Sequence, residues 1–559
     1  MTAAAGLLCL FAWACSSDDP TTPADAALSD GAAADQRTDG GGYTMAVVAS
    51  YHAEATRAGI AMLKKGGNAF DAFVAATAVE YVVHPGYTSL GGPMAAMVYR
   101  ADTGKIESLD AGFNTIIAAD GVWQPGAPDG KGVLVPGAAA GLEAISRRHG
   151  KLGLATALAP AVTLAREGFV VSQFYSGYVQ LAATTLARSA YGKATFLPGG
   201  KPIQAGTLLK QPALAGLLTS LSKEGAKHVY TGAWGARLVK LVAQQGGKLT
   251  AADLTAYKVR WRAPRSVTYR GHVLYTHPGR IFGGLSNLFS LKVLEHADTR
   301  GLAHFSNDAD ALEVMVRIAR TRANETWLRD YKTLDDSDKI KDALSNGYTD
   351  AVWKLVYASL SPSARGALGS HSSHVAVIDT AGNAITGINT INSAQPWGDG
   401  LFVDGVALSN AGKATWQNTA PGERRIAAFL QHLGFKEGKL AFAAGTFSAS
   451  MIPAGFQLLV NLVDYGYPAK RAASLPRFGT FPFDPTSGAV DTTKNLLDVK
   501  VSQTIVSTLA KRGLYFKQEQ YADTGLGVIV TADPNTRTLE GATTPYFIDS
   551  TGYVQTYRP

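Results

Sequence analysis

Residues 372–392 constrain the fold of this chain most tightly. Ser372-Ser373-His374-Val375-Ala376-Val377-Ile378-Asp379 has the β-branched, apolar character of a strand. Thr380-Ala381-Gly382-Asn383 reads as a tight turn, and Ala384-Ile385-Thr386-Gly387-Ile388-Asn389-Thr390-Ile391-Asn392 as the returning strand. With the turn centred on Ala381-Gly382, each residue n on the first strand faces roughly residue 763 minus n on the second. Thr390 then falls beside Ser372 or Ser373, and Asn392 beside His371, within one residue of register. Two hydroxyls and an amide gather at one strand end, where a buried strand seldom needs a polar cluster. The preceding segment, Ser361–Ser370, is dominated by Ser, Pro, Gly and Arg and reads as flexible and exposed.

A serine hydroxyl is a poor nucleophile until a base takes its proton. One solution places the serine at a chain N-terminus, where its own α-amine, with a reference pKa of roughly 7.7–8.0, serves as the base. The chain must first be cut at His371–Ser372. The Ser372 hydroxyl can do this by attacking the preceding carbonyl in an N-to-O acyl shift, which a flexible segment ahead of a strand-initial serine permits. The bland reading of Ser372 is a strand-capping serine. Ser370 and Ser373 are competitors, but Ser373 points to the opposite strand face. His371 and His374 have no carboxylate at ligand spacing, so a structural role is expected and no metal. Gly91-Gly92 lacks the Lys-Ser/Thr continuation of a phosphate loop and reads as a tight turn.

The rest of the chain is consistent with one large body. The 559 residues are 46% hydrophobic and 17% charged, which describes a globular protein with a large core. Net charge is +8, but the basic residues are scattered and no basic run pairs with an aromatic ladder, so nucleic acid is not an expected partner. The two cysteines, Cys9 and Cys15, both lie in the first fifteen residues, which leaves the body without disulfide or thiol chemistry. Ala3–Ala14 is too short an apolar run to span a bilayer and reads as the hydrophobic stretch of a signal peptide. Ala12-Trp13-Ala14-Cys15 looks like a lipobox with Cys15 as the lipidated residue, although no Lys or Arg precedes the run and Trp13 is bulky for a cleavage site. Residues 16–42 lack apolar periodicity and read as a disordered tether. The expected location is the periplasmic face of a bacterial membrane as a lipoprotein, or the periplasm or medium.

Folded structure is expected from Tyr43. Strands are predicted over Met45–Ser50, Met94–Tyr99 and Lys105–Asp110, and around an Arg270-Gly271 turn in Ser266–Tyr275. Helices are predicted over Ala53–Lys65, Ala69–Val83, from Val135-Pro136-Gly137 through Arg148, over Leu154–Glu167 and over Ala309–Trp327.

Taken together, several motifs resemble the γ-glutamyltranspeptidases of the N-terminal-nucleophile hydrolase superfamily. They include Leu63-Lys64-Lys65-Gly66-Gly67-Asn68-Ala69-Phe70-Asp71-Ala72, Leu90-Gly91-Gly92, Val135-Pro136-Gly137, Leu158-Ala159-Pro160-Ala161, Val460-Asn461-Leu462-Val463-Asp464-Tyr465-Gly466 and Pro476-Arg477-Phe478. The resemblance covers nearly everything after Tyr43. It implies an α+β fold, a four-layer αββα sandwich built from a large subunit, 43–371, and a small subunit, 372–559, made by self-cleavage of one precursor. It puts Ser372 at the nucleophile position and matches Thr390 and Asn392 to the residues that bond the nucleophile and its amine. Gly398 and Asn410 also match, and the oxyanion turn falls on Ser448-Ala449.

The departures concern the acyl group. The family's carboxylate-binding arginine is replaced by Gly112, its paired serines by Ala427 and Ala428, and the acidic residue that grips the amino group falls near Lys413-Ala414. Each lost charge-assisted bond forfeits about 1.5–3 kcal/mol. The expected activity is therefore an autoprocessing amidase or acylase on a non-glutamyl N-acyl or peptide-like amide, with transfer or cyclisation open and no cofactor. The alternatives are a γ-glutamyltransferase or glutathione hydrolase, and a non-catalytic relative serving as a binding or scaffold protein. Trp397 and Trp416 are read either as acyl-pocket walls or as buried structural residues.

Overall fold

The computed structural model describes residues 42–118, 127, 129–299, 301–323, 325–357, 372–393, 395–413, 419–448, 450–479, 493–520, 525–533, 536, 538–545 and 553–559. The signal segment with Cys15, nearly all of the 16–42 tether, the Ser361–Ser370 segment, His371, Ala414, Trp416 and Ala449 lie outside them.

The strands of the two large sheets are, in chain order, β1 (Ala46–Ser50), β2 (Met94–Arg100), β3 (Lys105–Ala111), β4 (Arg260–Arg262), β5 (Arg265–Tyr269), β6 (His272–Thr276), β7 (Ser372–Ile378), β8 (Ala384–Thr390), β9 (Leu430–Lys436), β10 (Lys439–Phe447), β11 (Leu526–Ala532), β12 (Leu539–Thr543) and β13 (Tyr553–Tyr557). One sheet has the order β13-β1-β7-β8-β2-β3-β4 and the other β12-β11-β10-β9-β6-β5. Neighbouring strands in both are antiparallel. Strands from before and after residue 371 lie side by side in each sheet, so the two stretches of chain form one body.

Period-two alternation assigns each strand face to a layer. On β7, Ala376 and Ile378 join Val47, Ala95 and Met97 in a core shared with Leu433, Phe447 and Val528 of the second sheet. Val375 and Val377 face the other way, into a core built with α1 (Ala53–Lys64), α2 (Ala69–Val83), α3 (Ala138–His149) and α4 (Leu154–Glu167). Behind the second sheet, Phe442, Ala444 and Ile529 pack against α5 (Gly283–Leu294), α6 (Ala309–Ala323) and α7 (Met451–Val463). The layers are therefore helix, sheet, sheet and helix.

Local chemistry explains the joints. Gly66, at φ +82, lets the chain leave α1, and Asn68 and Asp71 form a capping box at the start of α2. Asp71 is buried and also accepts from the backbone of Lys151 (2.9 Å) and Leu152 (3.0 Å), which ties the start of α4 to α2. Arg270 and Gly271 both have positive φ, as a two-residue hairpin requires. The helix expected over Ala309–Trp327 instead ends at Ala323, and Thr326–Arg329 is a separate 3-10 turn, because Glu325 adopts extended backbone. Sequence reading left out β4, β9 to β13, α5, α7 and further helices such as Gln173–Leu181, Pro212–Glu224 and Ala233–Gln244.

Replacing Asp71 with Ala strands three backbone donors that now bond its carboxylate: those of Asn68, Lys151 and Leu152. At about 1 kcal/mol or more for each, Asp71→Ala should lose at least ~3 kcal/mol in a urea titration. An unchanged midpoint would show that these bonds do not hold the joint.

Candidate active site

The β7–β8 hairpin carries the candidate nucleophile. At its turn, Gly382 (φ +87) closes the bend and buried Asp379 accepts from the backbone of Ala381 and Asn383. The loop length sets the register at Thr390↔Ser372 and Asn389↔Ser373. Of the two partners expected for Thr390, the structure selects Ser372. Ser372 is 5% exposed and Thr390 fully buried. Both share the strand face that looks toward the second sheet.

Asn392, which the hairpin register predicts as a continuation of the ladder, is not in a strand. It lies beyond the end of β8 at φ +52, and its backbone N–H donates to Thr390 Oγ1 at 2.7 Å. Asparagine tolerates the left-handed region better than most residues. Its carbonyl accepts from Ser409 Oγ at 3.4 Å.

The Leu90-Gly91-Gly92 loop backs this strand end. A Cβ on Gly92 would lie 1.8 Å from the Thr390 carbonyl oxygen. Gly92 O in turn accepts from the backbone of Gly137 and Ala138, both at 3.0 Å. The motifs around Gly92 and Gly137 thus form one support for Thr390. Gly398 (φ +58) has similarly little room, since a Cβ there would lie 2.5 Å from Leu408 O.

The end of β10 reaches the same neighbourhood. His374, two residues along β7 from Ser372 on the same face, stacks on Phe447 at 6.5 Å between centroids. Gly445 leaves space for the His374 ring, since a Cβ there would lie 2.0 Å from His374 Cε1. Ser448 follows Phe447 at φ +78, shortly before α7 begins. Positive φ is a conformation that glycine adopts at no steric cost and that serine rarely takes. His374 Nε2 lies 2.7 Å from Thr386 Oγ1, and burial holds its pKa down at about 3, so the ring is neutral. That is a packing role. Among the described residues no group of three or more His, Cys, Asp or Glu is arranged to hold a metal.

The expected acyl-site positions divide into two groups. Gly112 and the 427–428 pair approach one another because Asn114 bridges to Arg424 and Arg425 N donates to Phe113 O at 2.9 Å. Ala427 and Ala428 are partly exposed. Sequence reading missed Arg424, a buried guanidinium directly beneath Gly112. It bonds Gly112 O, Tyr257 Oη (2.7 Å) and Lys258 O (2.5 Å), lies 3.6 Å from Asp110 and stacks over the Tyr257 ring. A Cβ on Gly112 would be 3.0 Å from Asp110 Oδ1 and 3.3 Å from Arg424 Cδ. Charge has therefore not left this corner; it is committed to structure below the surface.

Asn410 belongs to the second group. Its amide nitrogen donates to Asp399 Oδ1 at 3.0 Å, and Lys413 Nζ bonds both Asp399 (2.9 Å) and Asp129 (2.6 Å). Trp397 is fully buried at φ +56 among Tyr175, Tyr178 and Phe196, which makes it a core residue of the helical layer.

Glu80, on α2, was also missed. It is fully buried and bonds Ser373 Oγ and Asn389 Nδ2, each at 2.6 Å. Burial pushes its pKa up to about 8, against the lowering effect of those two donors and of the Tyr51 backbone. A lone carboxylate in the apolar run Ala78-Val79-Glu80-Tyr81-Val82-Val83 was the available signal.

If the Gly92 support matters, Gly92→Ala must displace Thr390. Self-cleavage of folded precursor, followed on denaturing gels, should slow at least tenfold. Wild-type kinetics would remove Gly92 from the site.

Known proteins share this architecture. The family model described as γ-glutamyltranspeptidase matches residues 55–548. The acylase ACY 1 proenzyme of Pseudomonas sp. (strain V22) is 30% identical over 460 residues, covering 78% of this chain and 82% of that one. The glutathione hydrolase proenzyme of Escherichia coli (strain K12) is 28% identical over 474 residues, covering 77% and 80%. The crystal structure of cephalosporin acylase from Bacillus halodurans superposes with a TM-score of 0.78 at 21% identity, covering 96% of this chain and 99% of that one, and shares the fold. With the family match spanning most of the folded body, this chain belongs to the γ-glutamyltranspeptidase family.

Proposed function

We propose that this protein is a self-cleaving amide hydrolase or acylase whose nucleophile is the hydroxyl of Ser372. Cleavage starts when Ser372 Oγ attacks the carbonyl carbon of His371. The C–N bond breaks, an ester forms and the nitrogen becomes the α-amine of Ser372. Water then hydrolyses the ester, giving a new carboxylate at residue 371 and freeing the hydroxyl. The products are a large chain that ends at His371, with 43–371 as its folded part, and a small one, 372–559, held together by sheets to which both contribute strands.

In turnover the α-amine takes the Oγ proton as the oxygen attacks the substrate amide. Thr390 and Asn392 hold the nucleophile and amine, and backbone N–H groups of Ser448 and Ala449 stabilise the oxyanion. The tetrahedral intermediate collapses, the amine proton passes to the leaving nitrogen, and water hydrolyses the resulting acyl ester. A well-placed amine in place of water gives transfer or cyclisation.

The observation that carries the substrate assignment is the corner at Gly112. Glycine projects no side chain there, and the guanidinium beneath it, Arg424, directs its two terminal nitrogens to Gly112 O, Tyr257 Oη and Lys258 O. With Ala414, Ala427 and Ala428 at the other anchor positions and the Asn410 amide nitrogen held by Asp399, an apolar or amide-bearing acyl group avoids stranding a buried carboxylate. A similar relative is named an acylase proenzyme, and another a glutathione hydrolase proenzyme. The second name keeps γ-glutamyl chemistry as the alternative.

Export, with Cys15 lipidated and residues 16–42 as a tether, completes the reading. Among the described residues no helix is long and apolar enough to cross a membrane.

A panel of acyl anilides, with the γ-glutamyl anilide as comparator, tests the substrate class. The γ-glutamyl compound should have a kcat/KM at least tenfold below the best N-acyl compound; if it is best, γ-glutamyl activity takes first place. Ser372→Ala should abolish both cleavage and turnover, whereas Ser372→Thr should retain part of each. Turnover by Ser372→Ala would overturn the nucleophile assignment.

A further inference from the structure

Helix α2 is buried along all 15 of its residues, so a carboxyl in it is out of place on packing grounds. Replacing a buried polar group together with its partners by apolar groups of the same shape can be nearly neutral or stabilising. Glu80 makes no ion pair among the described residues. Its two oxygens instead divide between two strands: Oε1 accepts from Ser373 Oγ of β7 and Oε2 from Asn389 Nδ2 of β8, each at 2.6 Å.

The place of that contact matters. Ser373 and Asn389 are directly opposed in the ladder, and the next pair, Ser372↔Thr390, is the last among the described residues. Beyond it Asn392 turns away at φ +52. A terminal ladder pair has neighbours on one side only and frays most readily. The Glu80 carboxyl ties the two strands together one residue behind this end, on the face opposite Ser372 and Thr390. It touches neither of them. Thr390 is separately held from beyond the strand by the Asn392 N–H and by the Gly92 loop.

We propose that Glu80 is a positioning residue for self-cleavage: by bridging Ser373 and Asn389 from the helix side, it keeps the Ser372 hydroxyl and the carbonyl ahead of it aligned for the N-to-O acyl shift. This rests on the reading of Ser372 as nucleophile. Glu80 exchanges no proton with the reacting atoms in this role.

The test uses the full chain, made by cell-free synthesis and chased, with the first-order cleavage constant read per folded molecule alongside the melting temperature. Glu80→Gln keeps an acceptor for Ser373. Its new amide donor can meet Asn389 Oδ1, a buried acceptor without a hydrogen-bond partner among the described residues, once that amide flips. Glu80→Gln should therefore cleave within about threefold of wild type. Glu80→Leu loses both bonds and should cleave at least tenfold more slowly. Ser373→Ala removes one bond, leaves α2 untouched, and should slow cleavage measurably; it decides the matter if Glu80→Leu does not fold. A purely structural role would lower the melting temperature of Glu80→Leu while leaving the cleavage constant of the folded precursor unchanged. Wild-type constants in the folded variants overturn the proposal. Cleavage by Ser372→Ala would instead overturn the nucleophile reading, so the two failures are distinguishable.

Discussion

The β7–β8 ladder is the constraint on which the rest of the structure depends. Every residue of both strands is buried, with helices packed on one face and a second sheet on the other. A slip of one residue would turn Val375 and Val377 toward the second sheet and Ala376 and Ile378 toward the helices, so the register is locked. Locking it seats Ser372 opposite Thr390 and aims both at the intersheet side. Supports converge from several parts of the chain: Gly92 behind Thr390, the Asn392 backbone N–H on Thr390 Oγ1, and Phe447 against His374. The candidate site is thus a consequence of core packing as much as of its own polar contacts.

Polar groups placed inside this core are matched with specific partners. Glu80 bridges two strand side chains, and Asp71 collects backbone donors from two separate segments. Arg424 binds two carbonyls and a phenol beneath Gly112. Such groups are expensive to bury and costly to strand. In this chain they lie under the site and at the joints leading to it. Beneath the proposed acyl corner, that arrangement leaves small residues over a charge already held by structural partners.

Much of this was legible in the residues. The hairpin was readable because its alternation and Gly382 turn are local, and the register came within one residue because loop length is a local property. The first two helices were equally plain, since Gly66-Gly67-Asn68 and His84-Pro85 punctuate them. Contacts between distant segments were harder to read. Nothing local announces that Arg424 reaches beneath Gly112, or that Glu80 meets Ser373 and Asn389, although a carboxylate in an Ala/Val helix signals some partner. Strand β9 was overlooked because Gln431 and His432 interrupt an apolar pattern; both prove fully or almost fully buried in the second sheet. Asn392 escaped the ladder prediction because strand pairing alone does not reveal where a chain leaves the sheet.

The central claim is that Ser372 is both the new N-terminus and the residue that carries the acyl group. The most direct measurement is peptide mapping by mass spectrometry after a rapid acid quench of processed protein mixed with a turned-over acyl anilide. The account predicts one modified peptide, beginning at Ser372 with a free α-amine and bearing the acyl mass on its hydroxyl. An acyl mass on any other residue, or a small chain beginning elsewhere than Ser372, would contradict it.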